Sequence, residues 1–570
     1  MNLRKRKHED NTISINWDTM ISASTVRNYM LDDPLIDWLK YYNIKTLSCK
    51  PRKSTHVINR SNTINLHMDS HTNFIMSEGI KYEKQVYDKL KLIHKENIVQ
   101  VGESIDARSE EKFKETLEYM KQGIDMIYQG VLHDYENKLY GCPDLLVRSD
   151  KLNDIFECNV PINDSYDYVI VDIKHSTLNF ACDNIHLLNS GNISAYKGQL
   201  LIYCKILDSI QKNKSTCAYI LGKNNIMATI NYSNYDKNYI EKVDRGISWI
   251  HEMRTNGHKW TLLPKPSRSE LYPNMKNDKD FPYNKLKSEL SNKIGEITSI
   301  WNCRFNKRNI AHSKSIYSWK NKKANSVVFG FNKNKTSNTV DKILEINQSN
   351  KIKIRIEDLL KSSEKWRNFG SNIMEFYIDY ETINNNIGQL VEDNCGDYIF
   401  MIGIGWEENN KWMFKNFILE QLTSDSEIDM MTQFWDFINI KTTDLGYTES
   451  IFIHWTQAEK TFYNKFLCKH TNFPQMNFYD LYQLFLNNCI TVNGSLDFKL
   501  KNIAGAMYKN KLIESHWDTS NPCMNGLDAM LMAYNQYKSG NITNTMTDIA
   551  QYNEIDCKVM WEIFKVLRSY

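Results

Sequence analysis

At 570 residues the chain is too long for a single hydrophobic core, so two or three domains are expected. Its 41% hydrophobic and 24% charged residues are those of a globular protein, and no apolar run approaches the ~20 residues that cross a bilayer, so no membrane partner is expected. The net charge of +3 excludes no partner, because nucleic-acid binding follows the distribution of charge rather than its sum.

The chain opens on Arg4-Lys5-Arg6-Lys7, which suits a nuclear address, a phosphate-binding arm or a frayed tail. Polar and acidic residues follow in place of the apolar segment of a secretory signal, so an intracellular, cytoplasmic protein is expected. The twelve cysteines are scattered, with Cys204 and Cys217 the nearest pair and no Cys-x-x-Cys. Reduced thiols are expected, and neither a zinc ribbon nor an iron–sulfur cluster. The bias to Asn, Ile, Lys and Tyr, with only ten prolines, indicates AT-rich coding rather than disorder, since aromatics run throughout.

In chain order, Ser77 is placed to cap a helix with Ile80, Val86, Leu90 and Ile93 on one side. β-rich runs follow at 126–128, 145–147 and 168–173, then a helix over 195–207 and a strand over 217–221. This succession predicts a mixed α/β domain over residues 1–266. Prolines at 264, 266, 273 and 282 open a connector over 267–370. Between Ile297 and Val340 it carries no acidic residue but nine cations, among them Arg304, Lys307, Arg308, Lys320, Lys322 and Lys323. Trp301, Phe305, Tyr317 and Trp319 are interleaved with them. Such a stretch neutralises phosphates and stacks on exposed bases, or it is a solvated linker. A second α/β domain over 371–570 has strands at 374–380, 398–406, 412–419 and 450–455 and ends in a helix over 545–567.

The first chemical signal is Gly141-Cys142-Pro143-Asp144, followed 28 residues after that Asp by Asp172-Ile173-Lys174 at the end of an apolar strand. Phosphodiester hydrolysis needs the dianionic transition state neutralised and hydroxide supplied near neutral pH, and an ion held by carboxylates does both. Oxygen-only ligands suit Mg²⁺ or Mn²⁺. Strand alternation sends Asp172 and Lys174 to one face, where the carboxylate can bind the ion and the ammonium can orient water or steady the phosphate.

These motifs, with Ile21-Ser22-Ala23-Ser24 before Asp33-Pro34, Gly79-Ile80-Lys81-Tyr82-Glu83 and Gln199-Leu200-Leu201-Ile202-Tyr203, resemble the RecB-like branch of the PD-(D/E)XK nucleases. That branch includes CRISPR-associated and λ-exonuclease-type enzymes. The resemblance implies a restriction-endonuclease-like core over the first ~260 residues. It gives Asp144, Asp172 and Glu83 to the metal, Lys174 to the water, Gln199 to Lys174 or the phosphate, and Tyr203 to the site wall. Residues four apart on a helix share a face, so Gln199 and Tyr203 can reach one pocket. The iron–sulfur cysteines of some relatives have no counterpart here.

Asp379-Tyr380-Glu381 ends another apolar strand, and Tyr552-Asn553-Glu554-Ile555-Asp556 lies on the terminal helix. Together they resemble the DEDD exonucleases of the RNase H-like superfamily. The resemblance implies that Asp379, Glu381 and Asp556 ligate two ions while Tyr552 positions water. The middle ligand is open: Glu459 or Asp480 could serve, or neither. The fused arrangement is similar to giant-virus nucleases associated with virophage resistance. It implies a DNA exonuclease, with endonuclease activity besides, in repair, recombination or defence against foreign DNA, located in host cytoplasm or a virus factory. The expected partners are duplex or single-stranded DNA, a helicase and a second copy of the chain. A nucleic-acid-binding scaffold with a degenerate C-terminal domain and an RNA-processing exonuclease are the alternatives.

Overall fold

The computed structural model describes residues 15–51, 70–160, 167–349, 351–383, 397–540 and 544–570; Arg4 to Lys7 lie outside them. The described residues form two compact units, 15–51 with 76–272 and 70–75 with 273–570.

The first unit is built on a six-stranded sheet whose strands lie side by side in chain order: β1 (Ile98–Gln100), β2 (Met126–Tyr128), β3 (Leu145–Arg148), β4 (Tyr168–Ile173), β5 (Cys217–Leu221) and β6 (Met227–Asn231). β1 and β2 run parallel, as do β4 and β5, and the other neighbours are antiparallel. A parallel pair needs a crossover, and the helix α2 (Ile193–Ile210) supplies it between β4 and β5. Alternation sends Val171 and Ile173 of β4 into a core with Leu145, Val147, Met126, Tyr128, Tyr219 and Leu221, which leaves Asp172 on the opposite face.

The helix α1 (Ser70–His94) starts before Ser77, which is therefore an interior residue and not a cap. Ile80 and Ile93, expected to face inward, are 65% and 58% exposed. The inner stripe is instead Tyr82, Val86, Tyr87 and Leu90, related by the three- and four-residue steps that keep side chains on one side of a helix.

In the second unit five strands lie in the order β9-β8-β7-β10-β11: β7 (Ile373–Ile383), β8 (Tyr398–Glu408), β9 (Lys411–Ile418), β10 (Glu449–His454) and β11 (Phe478–Asp480). The first three form an antiparallel meander, and β10 and β11 add parallel to β7 through helical crossovers. The terminal helix α3 (Thr545–Arg568) buries Ile549, Tyr552, Asn553, Asp556, Val559, Met560 and Ile563. It lies close to the sheet at Gly403, where a Cβ would fall 1.5 Å from Asn553 Oδ1.

The stretch read as a separate connector is folded into this second unit from residue 273 onward. Ile297, Ile300, Phe329, Val340, Ile343 and Leu344 share one core with Ile453, Leu481, Phe485 and Phe564. Its apolar residues are too many to leave solvated, and the C-terminal elements provide the surface that covers them.

Candidate functional site

In the first unit, strand alternation and the turn after β4 bring Asp144, Asp172 and Lys174 together. Lys174 Nζ lies 2.7 Å from Asp172 Oδ2 and 3.5 Å from Asp144 Oδ2, so one ammonium bridges both carboxylates. Asp144 is also held by the Ile173 amide, which donates to its Oδ2 at 2.7 Å. Asp172 is 1% exposed, its Oδ2 faces the Lys174 ammonium and its Oδ1 has no hydrogen-bond partner. Burial, reinforced by Asp144, raises Asp172 above the ordinary carboxylate range against the pull of Lys174. Burial works to lower Lys174, but the two carboxylates outweigh it and keep the ammonium charged.

Glu83 on α1 accepts hydrogen bonds from Tyr128 at 2.9 Å and from Gln129 at 2.8 Å, and it is raised by burial and then by Asp144. Gln199 donates to the Tyr203 hydroxyl at 3.0 Å, which donates to the Cys142 carbonyl at 3.2 Å. The glycine of the Gly141 motif has a physical reason, since a Cβ there would lie 2.3 Å from the Tyr203 ring. A hard divalent ion suits this oxygen donor set and would give Asp172 Oδ1 a partner.

In the second unit the carboxylates gather more tightly. Asp379, Glu381 and Asp556 each offer an oxygen within 4.8 Å of the others, the one such trio among the described residues. Glu83, Asp144 and Asp172 are not drawn that close. Asp379 and Glu381 come from β7 at the two-residue spacing of a strand face, and Asp556 from α3. Glu381 and Asp556 are each 5% exposed. Burial first, and then mutual repulsion, raises Asp379 and Glu381, and burial raises Asp556. Acids packed at this spacing are the setting in which a divalent ion replaces protons.

The family model described as RNase_H superfamily matches residues 376–568. The C-terminal domain is RNase H-like. No curated protein matches the chain.

Within the RNase H-like domain both candidates for the middle ligand, Glu459 and Asp480, already accept hydrogen bonds from protein groups. Asp480 caps the helix Leu481–Asn487, accepting from the Gln483 and Thr456 amides at 3.3 and 3.1 Å and from the Gln457 side chain at 2.8 Å. Glu459 is buried and accepts from His454 Nδ1 at 3.1 Å; its charge raises Asp379 and Glu381, yet it stands outside the trio. The Tyr552 phenol, one turn before Asp556, is raised by burial and the surrounding carboxylates, so it keeps its proton.

Two orienting residues were not singled out in the sequence. Asn553, fully buried, donates to Asp379 Oδ2 at 2.7 Å, and the Trp517 indole donates to Asp556 Oδ1 at 3.1 Å. Asn553 lay within the motif already noted, three residues before Asp556, and its polarity on a buried helix face was the available signal. Trp517 had none.

The cationic stretch is not one surface. Arg308 is 1% exposed, bonded to the Pro273 carbonyl at 3.0 Å and paired with buried Glu296, so it belongs to the interior and not to a phosphate face. Lys307 donates to the Gly330 carbonyl over the Phe331 ring. Lys320 is exposed but donates to the Asn292 carbonyl; Arg304, Lys322 and Lys323 are exposed. Trp301 and Trp319 are half-buried and pack against the core.

Proposed function

We propose that the chain is a metal-dependent nuclease that hydrolyses DNA phosphodiesters, with a PD-(D/E)XK-like site in the first unit and an RNase H-like site in the second. The observation that carries the reading is the trio of acids, two of them buried and Asp379 half-buried, one oxygen from each within 4.8 Å of the others, on a domain of the RNase H superfamily. Asp379, Glu381 and Asp556 would hold Mg²⁺ or Mn²⁺ there, and Asp144 and Asp172, supported by Glu83, would do so in the first unit. A bound ion polarises the phosphate and acidifies its water.

The protein's own groups do the remainder. Lys174 stays cationic between two acids and is poised to steady a phosphate oxygen. Tyr552 stays protonated and can hold a water by its hydroxyl. Asn553 and Trp517 fix the rotamers of Asp379 and Asp556. The exposed Arg304, Lys322 and Lys323 are available for backbone phosphates.

The test is digestion of end-labelled linear and closed circular DNA, with RNA in parallel, by the native chain, Asp172→Ala and Asp379→Ala under Mg²⁺ titration. The reading expects cleavage that needs the ion and falls by about a thousandfold or more in one or both variants. Binding without cleavage at every ion concentration would leave only a nucleic-acid scaffold.

A further inference from the structure

We propose that in the RNase H-like site the ammonium of Lys501 takes the position of a second divalent ion, so that this site works with one metal and one lysine. The proposal rests on the nuclease reading and refines it.

A pair of ions bracketing the attacking and leaving oxygens needs ligands on both sides. Here three acids converge, and the two further acids able to complete a second set are engaged: Glu459 by His454, and Asp480 by three donors at a helix start. Beside the trio stands Lys501. It stands against the groups that surround Asp556, whose Oδ1 accepts from the Trp517 indole. Its Nζ lies 4.4 Å from the centroid of the Tyr552 ring and 5.4 Å from that of Trp517, the two aromatics that flank Asp556. One N–H is given to the Met524 carbonyl, a neutral partner, although carboxylates are close by. An ammonium has three such donors, so it retains capacity for an incoming anion.

Helix stability does not account for the residue. Lys501 sits in the first turn of the helix Leu500–Lys509, where a cation opposes the macrodipole. Its position is explained by what it faces. During hydrolysis water forms the new bond to phosphorus and the bond to the leaving sugar oxygen breaks. One proton of the water ends on that oxygen, and Lys501 keeps its own while holding a non-bridging oxygen.

The experiment uses the full chain carrying Asp144→Ala and Asp172→Ala, so that only the second site is read. Bound Mn²⁺ is counted by electron paramagnetic resonance, and single-turnover cleavage of a labelled single-stranded oligonucleotide is followed. One Mn²⁺ that depends on Asp379, shown by its loss in D379N, is expected. K501M should keep that ion and the melting temperature while cleavage slows about a hundredfold, and K501R should recover part of the rate. Two Asp379-dependent ions, or a K501M chain that cuts at the full rate, overturn the lysine's role alone. So does a K501M chain that melts early or loses Mn²⁺, which marks a structural lysine. A background chain that neither binds Mn²⁺ through Asp379 nor cuts overturns the nuclease reading of this site and the proposal with it.

Discussion

Gly403→Ala is the sharpest probe of how the RNase H-like site is assembled. Gly403 pairs with Asp379 across β7 and β8. A Cβ there would lie 1.5 Å from Asn553 Oδ1, 2.6 Å from its Cγ and 3.2 Å from a Phe414 ring carbon. Ordinary contact needs about 3.4 Å or more, so either the Asn553 side chain or α3 must retreat by roughly 2 Å. Overpacking of this kind costs about 1–3 kcal/mol. Asn553 would also lose its bond to the Asp379 carboxylate and the 3.2 Å bond to its carbonyl. A hydrogen bond to a charged group contributes about 1.5–3 kcal/mol, so the expected loss is ~3 kcal/mol or more, out of a typical ~5–15 kcal/mol for a folded domain. Denaturant unfolding followed by tryptophan fluorescence reads the stability, and Mn²⁺ titration reads the site; both should weaken. Gly403→Ala combined with Asn553→Ala should regain packing but not metal affinity. A single Gly403→Ala chain within about 0.5 kcal/mol of native, with unchanged Mn²⁺ affinity, would refute the role given to this helix–sheet approach.

Three other outcomes follow from the same geometry. Burial first, and neighbouring acids after it, pushes Glu381 up to about 8, so its proton is held more tightly folded than unfolded. Without metal, the melting temperature of the RNase H-like domain should therefore fall as pH rises from about 4.3 to about 8, Mg²⁺ should reduce the fall, and Glu381→Gln should flatten it; a metal-free melting temperature that climbs through this window contradicts the assignment. Gly141→Ala should press the Tyr203 ring off the Cys142 carbonyl, destabilise the first unit by about 1–3 kcal/mol and slow its cleavage, measured by thermal melts and by digestion in an Asp379→Ala background. Arg308→Met leaves Glu296 buried without its cation and should cost about 3–5 kcal/mol while the salt dependence of DNA binding stays unchanged; a shallower salt slope for this variant would put Arg308 back on a phosphate-facing surface.

Much of the framework was written in local patterns. The run Tyr168-Val169-Ile170-Val171-Asp172-Ile173 and the run Cys217 to Leu221 are strands with the expected ends, and the terminal helix differs from expectation by one residue. Period-two alternation is a property of neighbouring residues, so it put Asp172 beside Lys174 and Asp379 beside Glu381 on one face of the chain before any fold was known. Helical spacing did the same for Gln199 with Tyr203 and for Tyr552 with Asp556.

Which groups those faces meet is a different kind of information. Asn553 reaches Asp379 across 174 positions, Lys174 reaches Asp144 across 30, and Arg308 finds Glu296 in an interior that neither residue advertises. Asp480 and Glu459 are equally acidic in the chain, and packing alone assigned one to a helix cap and the other to His454. Charge, aromatic spacing and acid count are properties of single residues, whereas burial and ligation belong to pairs, and distant pairs come together only when the cores close.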